Sequence, residues 1–162
     1  MYKSLFLSIV FFGLFACGSI SKSKYFQVQK STKSVIYGGV SGTPITYHLV
    51  SNVVMKKTGT VTCDSFWANG YTGIGRILDK ENNLINARQV QKGEEITFDF
   101  YYFVMPPPEN PENPPNNGGN GSLMAPPPVE HVGELLFSYT FNKKKKFISI
   151  SNLQKGEPTY GQ

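Results

Sequence analysis

The clearest signal along the chain is strict alternation. From Glu95 to Val104, Ile96, Phe98, Phe100 and Tyr102 occupy one set of alternate positions, and Thr97, Asp99, Tyr101 and Phe103 occupy the other. A period of two sends successive side chains to opposite faces of an extended backbone, so the segment reads as a half-buried β-strand. Leu135, Phe137, Tyr139 and Phe141 repeat the pattern against Leu136, Ser138, Thr140 and Asn142. Between Phe147 and Leu153, Ile148 and Ile150 alternate with Ser149 and Ser151. Ile45 to Val54, Thr60 to Trp67, Ile74 to Leu78 and Leu84 to Val90 are further strand segments. Gly38-Gly39, Gly59, Asn69-Gly70, Asn82-Asn83 and Lys92-Gly93 punctuate them as turns. No segment carries a helical stripe with caps. The pattern predicts an all-β chain folded as a single Ig-like β-sandwich of about seven to nine antiparallel strands, with a small β-barrel as the alternative.

One stretch breaks the pattern. Nine of the eleven prolines lie between Pro106 and Pro128, together with Asn116, Asn117, Gly118, Gly119, Asn120 and Gly121. Such a composition cannot bury a core, and residues 106–130 therefore read as a disordered, protruding insert, either a spacer or a docking arm for a partner. The strand ending near Met105 and the one beginning near Gly133 are expected to be hairpin partners joined through it.

The first residues have a different character. Lys3 is followed by an apolar run from Leu5 to Phe15, interrupted only by Ser8 and Gly13. Its length suits a secretory signal and is too short to span a bilayer. Leu14-Phe15-Ala16-Cys17 closes the run and resembles the lipobox of bacterial lipoproteins, although Phe15 is bulkier than is usual there. The resemblance implies removal of residues 1–16 and acylation of Cys17 by diacylglycerol, with a further palmitate-type chain on the new amine. An ordinary cleaved signal peptide is the alternative. Each buried methylene contributes roughly 0.8 kcal/mol, so two or more acyl chains would hold the protein firmly on a membrane. Residues 17–24 are small, polar and basic and read as a lipidated tether, leaving 25–162 as the sandwich domain.

The chain also resembles small envelope lipoproteins of Bacteroidota of uncharacterised function. The resemblance rests on the lipobox, the Tyr37-Gly38-Gly39 turn, the Asp64-Ser65-Phe66-Trp67 strand and a closing pair of aromatic-rich strands. It implies a compartment and a fold type but no activity. The tether lacks an acidic run of the kind that sends some such lipoproteins to the cell surface, which favours the outer membrane facing the periplasm.

Charge and chemistry narrow the functions only partly. The formal charge of +5 is a mild basic balance that attracts anionic lipid but does not suggest nucleic-acid binding. Two cysteines, Cys17 and Cys63, are too few for a disulfide scaffold. His48 and His131 are the only histidines, and neither has a ligand at metal spacing. A copper site using His48, His131, Cys63 and Met105 or Met124 is the weak metal candidate. Cys63 lacks an adjacent base that would activate it, and Asp64 would raise its pKa. Neither Gly38 to Gly42 nor Gly70 to Gly75 has the ending of a phosphate loop. Lys143, Lys144, Lys145 and Lys146 read as a solvated hairpin tip that also blocks edge pairing, or as a contact with anionic lipid or peptidoglycan worth up to about 1 kcal/mol per lysine. Trp67, Tyr71, Tyr101 and Tyr102 would stack on a glycan or a partner if they faced outward. The sequence therefore favours a non-enzymatic, lipid-anchored module that contacts another protein and needs no cofactor. A glycan- or small-ligand-binding module is the second reading, and a copper carrier or hydrolase the third.

Overall fold

A computed structural model of the chain describes residues 23–40, 42–85, 87–105 and 123–161. Cys17 and most of the proline insert lie outside them. The described residues form two mostly antiparallel sheets packed as a sandwich, with no helix among them and no barrel closure. β1 (Phe26–Tyr37), β2 (Ile45–Met55), β5 (Arg76–Leu78), β6 (Leu84–Ile85), β8 (Glu95–Val104), β12 (Gln154–Lys155) and β13 (Thr159–Tyr160) make the first sheet. β3 (Gly59–Ala68), β4 (Tyr71–Ile74), β7 (Arg88–Val90), β9 (Leu123–Met124), β10 (Leu135–Phe141) and β11 (Lys144–Ile150) make the second.

The alternation read from the sequence matches what is buried. Ile96, Phe98, Phe100 and Tyr102 of β8 turn inward and meet Leu135, Phe137, Tyr139 and Phe141 of β10, all of them buried. The contact between the sheets is largely aromatic. Phe137 lies 4.9 Å from Phe98 and 5.0 Å from Phe100 between ring centroids, and Phe26 lies 5.4 Å from Phe98 and 4.9 Å from Tyr139. Tilted and edge-on pairs of this kind add about 0.5–1.5 kcal/mol each beyond their burial.

The expected hairpin through the proline insert is not formed. β8 belongs to the first sheet, where it pairs with β2 and β5, whereas β10 belongs to the second and pairs with β3 and β11. Both strands alternate well enough to be partners. The side chains of each face inward, however, so they meet face to face across the core and share no ladder. The insert thus links one sheet to the other. Its last residues, from Leu123 onward, are part of the described structure, and Leu123 and Met124 pair with Thr72 and Tyr71 of β4.

Strand number also exceeds the expectation. The 74–78 segment divides at Gly75, where the chain leaves the second sheet for the first. A Cβ on Gly75 would run into Cys63 Sγ and the Phe100 ring, so only glycine lets the backbone cross this close to the core. The 84–90 segment divides in the same way between β6 and β7. The C-terminal residues add β12 and β13, which run parallel to β1.

The two ends of the sandwich differ. At one end lie the start of β1, the β2–β3 and β7–β8 turns and the β10–β11 turn, joined by bonds from Lys56 N to Tyr25 O (2.7 Å), Gly93 N to Met55 O (2.8 Å) and Asn142 N to Thr60 O (2.9 Å). The β1–β2 connection, the Asn69-Gly70 turn and the point where β8 leaves for the insert lie at the other.

Candidate binding face

The most concentrated chemistry lies on the outward face of the first sheet. Asp99 occupies an outward position in β8 yet is 1% exposed, because neighbouring strands cover it. His48 of β2 contributes Nε2, 2.5 Å from Asp99 Oδ1. On the other side Arg76 of β5, directly opposite Asp99 in register, donates from Nη2 (2.6 Å) and Nε (3.1 Å) to Oδ2. Both carboxylate oxygens are therefore paired, as burial of a charge requires.

Tyr101 completes the cluster. His48 stacks on its ring at 4.2 Å and 5° from the β2 side, and the Arg76 guanidinium lies 4.7 Å from the ring centroid from the β5 side. Partial burial, followed by the nearby Asp99 charge, raises the Tyr101 pKa, so its phenol stays neutral. Beside the cluster opens a shallow groove of about 500 Å³ lined by Thr46, Ile74, Arg76, Tyr101 and Phe103. Ile74 is 81% exposed and Phe103 39%. The start of β2 and the end of β8 set this groove toward the end of the sandwich that carries the insert.

The remaining candidates are dispersed. Tyr102 and Tyr71 are stacked inside the second end of the molecule, Tyr102 between Tyr47 (4.7 Å) and Tyr71 (5.0 Å), with Asn69 Nδ2 donating to the Tyr102 hydroxyl at 2.7 Å. Burial pushes the Tyr102 phenol up to about 12. Trp67 lies on the outward face of the second sheet, 6.3 Å from Phe147. The row of Trp67, Tyr71, Tyr101 and Tyr102 imagined for a glycan is thus split among two outer faces and the interior. Tyr101 alone of the four lines the groove, and its ring is flanked on both sides.

His48, Cys63 and His131 do not form a metal site: among the described residues no three His, Cys, Asp or Glu side chains are grouped to hold a metal ion. His48 has Asp99 and Tyr101 as its neighbours. Cys63 points inward from β3, and burial first, then the charges of Asp64 and Asp99, push its thiol far above the ordinary range. Met105 and Met124 are exposed. The Asp64 carboxylate accepts bonds from Thr62 Oγ1 (3.1 Å) and Thr140 Oγ1 (3.0 Å). The lysine cluster is redistributed too: the turn consists of Asn142 and Lys143 alone, and Lys144, Lys145 and Lys146 lie on β11, the edge strand of the second sheet.

Asp99 and Arg76 were missed by the sequence reading. The available signal was a carboxylate at the centre of an otherwise aromatic strand, where an unpaired charge would be costly. No protein-family model matches the chain, and neither a curated protein nor a solved structure shows significant similarity to it.

Proposed function

We propose that the protein is a non-enzymatic binding module of a bacterial cell envelope, held by lipid on Cys17 at the outer membrane and facing the periplasm. Its groove beside Arg76 would take a segment of another protein. The observation that carries this reading is the combination of exposed Ile74 and half-exposed Phe103 with a guanidinium already fixed by Asp99. An apolar side chain with a neighbouring acidic or carbonyl group matches those features, and pre-fixing Arg76 lowers the ordering cost of binding. A glycan is a poorer match, because the Tyr101 ring is occupied by His48 and Arg76 and offers no free face for a sugar to stack on.

A photo-crosslinking residue substituted at Phe103 in living cells tests the face. Capture of a discrete protein from Phe103, but not from a control at Trp67 on the opposite sheet, is the expected result. Equal capture from both positions would remove the argument for this groove. The anchor has its own test: Cys17→Ser should abolish acyl labelling and release the protein from membranes, and retention of both would refute it.

A further inference from the structure

The end of the sandwich where β1 begins gathers lysines from four separate segments. Lys24 precedes β1, Lys56 and Lys57 form the β2–β3 turn, Lys92 lies in the β7–β8 turn, and Lys143 and Lys144 sit at the β10–β11 turn; all six are exposed. Backbone and side-chain bonds tie these segments together. Lys56 Nζ reaches Ser23 O at 3.2 Å, Lys92 N donates to Thr58 Oγ1 at 3.1 Å, and Asn142 Oδ1 accepts from Thr60 N at 2.8 Å. Their spacing is therefore fixed by the fold.

Acidic neighbours at this end offset only part of this charge, because the lysines and Arg88 outnumber them. Glu94 is held by Arg88 at 2.8 Å. Glu95 opens β8 opposite Val54 at this same end, and Asp79 and Glu81 lie beside it in the β5–β6 turn, where Lys80 accompanies them. The lysine excess faces along the axis of the sandwich and onto the edge strand β11.

Ser23 lies at this same end, with its hydroxyl 3.0 Å from the Tyr139 hydroxyl, and a cleft formed with Lys24 and Lys146 surrounds it. Cys17 precedes Ser23 by six residues, which even fully extended span only about 20 Å. We propose that this basic end docks on the anionic head groups of the membrane that carries the lipid anchor, so that the groove beside Arg76 and the end of β8 point away from the bilayer. This rests on the anchored reading above and adds to it an orientation. Charge complementarity and the short tether give the patch one occupant, a bilayer rich in anionic phospholipid. A tethered cationic surface meets that bilayer at high effective concentration, and its lysines attract the head groups once they approach within about one Debye length, roughly 8 Å at physiological salt.

The test uses the full lipidated chain, added from detergent to preformed vesicles of phosphatidylcholine alone or with phosphatidylglycerol, and reads amine labelling at each lysine by mass spectrometry. With phosphatidylglycerol, labelling of Lys56, Lys57, Lys143 and Lys144 should fall about fivefold and recover at about 1 M salt, where screening extends over only a few ångströms. Lys155, exposed on β12, should label equally in both. Equal labelling of all these lysines in both vesicle types, with the protein floating on each, would overturn the docking while sparing the anchor. Flotation only with phosphatidylglycerol would support the docking and count against the anchor, and flotation with neither would overturn both. Protection by isolated peptidoglycan but not by vesicles would also overturn the proposal, assigning the patch to the cell wall.

Discussion

Arg76 and Asp99 face each other across the β5–β8 ladder, and the guanidinium of the first covers the carboxylate of the second through two bonds of 2.6 and 3.1 Å. Asp99 is 1% exposed and its carboxylate is paired with Arg76 and His48, whereas the Arg76 side chain is 45% exposed and can be solvated alone. The relationship is therefore unequal. Arg76→Met, which strands a buried carboxylate on one partner, should cost about 1–3 kcal/mol. Adding Asp99→Leu should recover most of the loss, because apolar replacement of a whole buried pair is often neutral. Urea midpoints of the single and double variants check this, and a double variant as unstable as Arg76→Met would refute it.

How far this cluster and its scaffold could be read in advance depended on phase. β8 and β10 were legible because every inward position is Ile, Leu, Phe or Tyr. β1 was not, although it is the longest strand. Its inward residues include Ser31, which is buried against Ser51 at 2.9 Å, and an irregularity between Val28 and Lys30 shifts the phase of alternation midway. A polar inward pair and a bulge together erase the period-two signal that marks a strand. His48, Arg76 and Asp99 were each visible as residues, but their meeting depends on the register of β2, β8 and β5. Register follows from which faces are buried across three separate segments, and the pattern within one segment does not contain it.

Cys63 should be unreactive in the folded protein. Its side chain is partly buried against the core and its pKa raised, so the thiolate that attacks alkylating or disulfide reagents is scarce. Iodoacetamide at neutral pH should label it only after denaturation. Rapid labelling of the native protein would show that β3 opens or that the thiol faces a solvent channel.

Gly75 reports on the same spot from the other side. Gly75→Ala directs a methyl group into Cys63 Sγ and the Phe100 ring, an overpacking that should cost about 1–3 kcal/mol. Because Cys63→Ala removes one of the two obstacles, the pair of substitutions should be less harmful than the sum of the single effects. Strict additivity in thermal denaturation would indicate that the sulfur is not what the methyl meets.

Alkaline pH should loosen the tyrosine stack. Burial raises the Tyr102 pKa to about 12 in the folded protein, against a partly offsetting bond from Asn69, and burial raises Tyr139 in the same direction. In the unfolded chain a tyrosine ionises near pH 10. The folded state therefore holds the proton that the unfolded state gives up, and this contribution is intact below pH 10 and is lost as pH rises toward 12. Stability followed by chemical denaturation should fall over that window. Tyr102→Phe should make the fall shallower, and an unchanged slope would mean that Tyr102 does not carry it.

The β10–β11 turn offers a prediction that sets stability against surface charge. Asn142 and Lys143 have φ of 47° and 66°, the left-handed pair required by a two-residue hairpin turn, for which Asn-Gly is the preferred sequence. A lysine in the second position carries a side-chain penalty that glycine avoids, and its charge projects from the end of the sandwich that gathers the other lysines. Lys143→Gly should raise stability by about 0.5–1 kcal/mol, or roughly 4 °C in melting temperature. If the charge at this position serves contact with anionic lipid, the same variant should need less salt to restore labelling of Lys144 on phosphatidylglycerol vesicles. A stabilised variant whose salt dependence is unchanged would mean that Lys143 does not contribute to docking.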